Sequence, residues 1–92
     1  MALQIINAGP PPEEIAGQIR AAIAEAMPEA TIDVQPQGPG HFEITVTDTR
    51  FEGLSRVKQQ QLVYSAITEL MAGPSPPVHA VDRLDCRVPS SS

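Results

Sequence analysis

A chain of 92 residues, 41% hydrophobic and with a formal charge of −5, is long enough for one core and too short for two. Its acidic balance argues against a general grip on nucleic acid, which needs Lys and Arg to neutralise phosphates, and leaves room only for a local basic patch. The single cysteine, Cys86, excludes an internal disulfide, and no stretch approaches the roughly 18 apolar residues of a membrane span.

The N-terminus, MALQIINAGPPPEE, has neither a basic n-region nor a long apolar run. No signal peptide is read there, and the cytoplasm is the expected compartment. Residues 1–10 read as an arm, because Gly9 and the prolines Pro10, Pro11 and Pro12 stop whatever Leu3, Ile5 and Ile6 begin. Pro12 followed by Glu13 and Glu14 makes a good helix start, since proline suits the first turn and carboxylates suit the positive end of the helix. Ile15, Ile19, Ile23 and Met27 then repeat every four residues, with Ala22 and Ala26 beside them, and Pro28 closes the helix. Gly17 is its weak point.

Ala30 to Gln35 alternates, with Ile32 and Val34 on one face, and reads as a strand. Pro36 to Gly40 reads as a loop by its turn chemistry. Phe42, Ile44 and Val46 alternate with Glu43, Thr45 and Thr47, a half-buried strand that closes an antiparallel hairpin. Asp48 to Gly53 turns the chain into a long helix, expected from Ser55 to Ala72, with Ser55 as its cap. Val57, Leu62, Val63, Ala66, Ile67, Leu70 and Met71 recur at spacings of three and four and are expected to face the core. Tyr64 is read as a packing residue of that helix.

Gly73 to Pro77 ends the helix, and Val78 to Val88 reads as a third strand. Val78, Ala80, Leu84, Cys86 and Val88 are placed on one face, His79, Val81, Arg83, Asp85 and Arg87 on the other, with Asp82 interrupting the apolar side. Residues 89–92 read as a tail. The predicted fold is a single α+β domain of order α-β-β-α-β, a three-stranded sheet with both helices packed on one face.

The run Phe51-Glu52-Gly53-Leu54-Ser55-Arg56-Val57-Lys58-Gln59-Gln60-Gln61-Leu62-Val63-Tyr64, followed later by Val78-His79-Ala80, resembles the BolA family, and within it the shorter acid-stress-linked branch. The recognisable motifs run from His41 to Ala80. The resemblance implies a type-II KH-like arrangement, with a short helical step between the Phe-x-Gly turn and the main helix. Relatives usually continue after His-Ala into a helix beginning Thr-Pro-x-x-Trp, and the last ten residues here depart from that pattern.

Two histidines are candidate metal ligands. A lone histidine is most simply a strand residue whose ring is satisfied by hydrogen bonds. In BolA relatives, however, the histidine of the His-Ala pair ligates a two-iron two-sulfur cluster shared with a monothiol glutaredoxin, whose cysteine and glutathione hold the other iron. The resemblance therefore implies His79 as a ligand. The family's second ligand, a Cys or a His, lies in the loop between the first two strands. His41, at the start of the second strand, is the only imidazole near that loop, and it reads equally well as a strand-edge histidine. Cys86, beside Leu84 and Val88, reads as core.

No Gly-rich phosphate loop, nucleophile elbow or Cys-x-x-Cys is present, so an enzyme is not expected. One reading is an adaptor that partners a monothiol glutaredoxin in binding, carrying or sensing the cluster. The other is a DNA-binding regulator using Arg50, Arg56 and Lys58, although the Gly-x-x-Gly of true KH domains is missing. A homodimer is compatible with either.

Overall fold

The computed structural model describes residues 10–89. Of the arm read over residues 1–10 and the tail read over 89–92, all but Pro10 and Pro89 lie outside the described residues. Helix α1 runs from Pro12 to Ala26 and starts as the sequence predicts, with Pro12 inside the first turn and Glu13 and Glu14 at the positive end. Ile15, Ile19, Ile23 and Met27 are all buried on its inner face. At its far end Met27 N–H closes onto the Ile23 carbonyl at 2.8 Å. The Ala26 carbonyl, which has no partner within the helix, accepts from Arg50 Nη1 at 3.0 Å. A Cβ built on Gly17 meets nothing within 4 Å, and the residue is helical. Gly17→Ala is therefore expected to raise the unfolding free energy by about 1 kcal/mol, read from the shift of the urea midpoint.

Strand β1 covers Thr31–Gly38 and strand β2 His41–Thr47, paired antiparallel. Pro36 to Gly38 thus belongs to the strand rather than to the loop. Proline is tolerated there because β1 is an edge strand and its register slips between Pro36 and Gly38. The turn shrinks to Pro39 and Gly40, a proline followed by a residue with φ +78°, the combination a type II turn requires. Phe42, Ile44 and Val46 are fully buried on the face of β2 that the helices cover.

A single 3-10 turn, Thr49–Phe51, follows, held by Asp48, whose buried carboxylate accepts from Arg50 N–H at 2.8 Å. Helix α2 covers Arg56–Ala66, and Ser55 caps it by accepting from Lys58 N–H at 3.2 Å. It is shorter than the periodicity suggests. Thr68 Oγ1 donates to the Tyr64 carbonyl at 2.9 Å, Ile67 N–H takes that same carbonyl, and the chain tightens into a 3-10 helix over Thr68–Met71. Val63 and Ile67 are buried as expected, while Val57 is 62% exposed and Tyr64 also faces solvent. The inward stripe therefore begins a turn later than predicted.

Strand β3, Ala80–Arg87, lies parallel to β2, giving the sheet order β1-β2-β3. One extra residue sits in β3: Phe42 pairs with Val81, yet Glu43 pairs with Arg83. This bulge at Asp82 reverses the face assignment before it. Val81, not Ala80, joins Leu84 and Cys86 against the core, and Val78 is buried ahead of the strand. The predicted α+β order holds, with both helices over one sheet face.

Candidate functional site

The β1–β2 turn and the segment entering β3 meet at one point. The Gly40 carbonyl accepts from both His79 N–H, at 2.8 Å, and Ala80 N–H, at 3.0 Å. These two hydrogen bonds fix the backbone of His79 beside the turn before the strand proper begins. The imidazole then lies directly over Gly40. A Cβ at that position would come within 2.6 Å of His79 Cγ and Nδ1. Gly40 is thus required twice, for its positive φ and for the space the ring occupies.

His79 is exposed, and no side-chain hydrogen bond engages its ring among the described residues. It stands at one wall of an open cleft formed by Pro11 and Ile15 at the start of α1, Pro39 of the turn, and Pro76 and Pro77. The proline rings make this wall apolar and stiff, since each has a fixed φ and no N–H to satisfy.

His41 pairs with Ala80 across the ladder, one residue from His79, so both candidate imidazoles arise at the same end of the sheet. Their rings have different neighbours. His41 Nδ1 lies 2.9 Å from Asp82 Oδ1, while His79 rests on Gly40. Among the described residues, no group of three or more His, Cys, Asp and Glu side chains converges on a point.

Cys86 is remote from this end, pairing with Val46 two pairs further along from Ile44 and Leu84. Burial, with a smaller contribution from the Asp85 carboxylate, pushes its thiol up from the ordinary value. The thiolate is the reactive form. Cys86 is therefore expected to alkylate with iodoacetamide at about pH 8 far more slowly in the native protein than in urea, and equal rates would contradict its packing against the core. Asp85 itself is held below the usual carboxylate range, chiefly by the hydrogen bonds it accepts from Arg87. Its stabilising effect is present above the ordinary carboxylate range and is lost as pH falls through the lowered value.

Arg50, Arg56 and Lys58, the candidates for a nucleic-acid contact, have different neighbours. Arg50 is engaged with the end of α1, Arg56 stands near Asp85 and Cys86, and Lys58 borders Leu54, Gln61 and Leu62. No helix among the described residues is long and apolar enough to cross a membrane. Sequence reasoning missed the cradle at Gly40 and the bulge at Asp82. A sign of the bulge is visible in the sequence, since Val81 and Leu84 are three residues apart in a segment that otherwise alternates.

The family model described as BolA-like protein matches residues 17–90. BolA-like protein 1 of Bos taurus is 40% identical over 57 residues, covering 62% of this chain and 39% of that protein. Acid stress protein IbaG of Escherichia coli (strain K12) is 33% identical over 64 residues, 70% of this chain and 73% of its own. The solution structure of BolA1 protein from Mus musculus superimposes with a TM-score of 0.67 at 28% identity, over 94% of this chain and 72% of that one. The chain spans about half the length of the mammalian relatives it matches, 39% for the bovine and 50% for the murine protein. The match over most of its length, the shared fold and the Phe-x-Gly and His-Ala motifs in their order lead to one conclusion: this chain belongs to the BolA-like protein family.

Proposed function

We propose that this chain is an adaptor that pairs with a monothiol glutaredoxin and lends an imidazole to a two-iron two-sulfur cluster carried between the two proteins. His79 is the first ligand and His41 the second candidate. One observation carries the reading: an exposed ring, free of side-chain hydrogen bonds among the described residues, seated on a glycine that leaves it just enough room. A neutral imidazole is a sound donor to iron, and in place of a thiolate it raises the cluster potential. The proline-lined wall beside it offers a stiff apolar surface on which a partner can dock with little loss of freedom. The glutaredoxin cysteine and glutathione supply the remaining donors.

The experiment is reconstitution of the protein with a monothiol glutaredoxin, glutathione, iron and sulfide. The expected product is a heterodimer whose visible absorption differs from that of the glutaredoxin cluster alone. In His79→Ala that difference shrinks and the cluster is lost sooner. An identical spectrum and lifetime in the variant would remove His79 from the ligand set.

A further inference from the structure

Strand β3 carries one residue more than β2 over the same stretch, and that residue is Asp82. It has no partner across the ladder, because the register passes from Val81 directly to Arg83. A bulge of this kind re-aims the unpaired side chain. Here it brings the Asp82 carboxylate to 2.9 Å from Nδ1 of His41. An ionised carboxylate only accepts, so Nδ1–H donates, and in the neutral ring the lone pair falls to Nε2. Both side chains are about half exposed, 47% for His41 and 41% for Asp82, so the pair adds little to stability. Its consequence is the choice of tautomer.

From this geometry we infer that Asp82 is a positioning residue: it holds His41 as the Nδ1–H tautomer and so fixes Nε2 as the nitrogen that meets the iron. The inference rests on the reading above, that the chain lends imidazole to a shared cluster. Three features bring the arrangement together. His41 starts in the ladder opposite Ala80, next to His79. The bulge places a carboxylate at Nδ1 of the ring rather than at Nε2. A carboxylate on the far nitrogen orients the ring and raises the basicity of the ligating one. In this tautomer His41 would offer the Nε2 lone pair to iron while keeping the Nδ1 proton in its bond to Asp82.

The test has two arms. In the first, ring nitrogen-15 shifts of the protein alone are recorded at about pH 8.5, above the ordinary histidine range. His41 is expected as the Nδ1–H tautomer, reverting mainly to Nε2–H in Asp82→Ala and retaining Nδ1–H in Asp82→Asn, whose amide oxygen still accepts. An Nε2–H tautomer in the unmodified protein overturns the inference, whatever the cluster does. In the second arm, the glutaredoxin complex is reconstituted and cluster loss is followed by visible absorption. Asp82→Ala is expected to lose the cluster about tenfold faster, with Asp82→Asn close to the parent protein. If His79→Ala accelerates loss and Asp82→Ala does not, the inference fails and the adaptor reading stands. If the tautomer behaves as expected and neither substitution touches the cluster, the adaptor reading fails, and with it the iron-binding role of His41.

Discussion

Phe42→Ala is expected to lower the unfolding free energy by about 3–5 kcal/mol. The ring is fully buried at the start of the central strand, between Pro36 of β1 and Val81 of β3 in the ladder and beneath the helices. Alanine removes most of that volume. The surrounding backbone is held by strand pairs on both sides, so the site cannot easily collapse around the gap. A domain of this size is stable by roughly 5–10 kcal/mol, so the loss consumes a large share of the total. Urea unfolding followed by far-UV circular dichroism checks it, and a loss below about 1 kcal/mol would mean that Phe42 does not occupy the core as described.

Gly40→Ala is expected to disturb both fold and site. The left-handed backbone at φ +78° costs a non-glycine residue about 1–2 kcal/mol. The new methyl also collides with the near end of the His79 side chain, at 2.6 Å from Cγ and Nδ1, and that end cannot swing away without turning the ring out of its seat. Gly53→Ala provides the control. Its φ of +80° is almost the same, and nothing lies within 4 Å of its added Cβ. Both variants should lose similar conformational free energy, with the Gly40 variant losing more. Only the Gly40 variant should alter the cluster formed with glutaredoxin. Equal behaviour of the two in cluster retention would show that the seating of His79 on Gly40 has no functional weight.

The elements whose apolar residues repeat without interruption were legible in the sequence. Ile15, Ile19, Ile23 and Met27 define α1, and Phe42, Ile44 and Val46 define β2, because a single period places each of these residues on the buried side. The departures have local causes. The second helix stops at Ala66 because the Thr68 hydroxyl and Ile67 N–H both claim the Tyr64 carbonyl, a competition that hydrophobic spacing does not register. Pro36 enters β1 because an edge strand need not donate on both sides. Val81 changes face because one inserted residue, Asp82, shifts the two-residue period by a step.

For the site, the motif order pointed to His79 and the hairpin loop pointed to His41, but neither could supply their surroundings. The space over Gly40 depends on a turn and a strand entry nearly forty residues apart in sequence, brought together by the two bonds to the Gly40 carbonyl. The Asp82 contact depends on the bulge. The Arg50 guanidinium donates to the Ala26 carbonyl at the end of α1, a contact between residues 24 apart that local sequence does not announce.

Pulsed electron paramagnetic resonance of the reduced cluster, in the complex with a monothiol glutaredoxin, decides whether the His79 ring is bound to iron. Hyperfine coupling to an imidazole nitrogen is expected, weakening or disappearing in His79→Ala and unchanged in Cys86→Ala. Coupling of the same strength with and without the His79 ring would contradict His79 as a ligand.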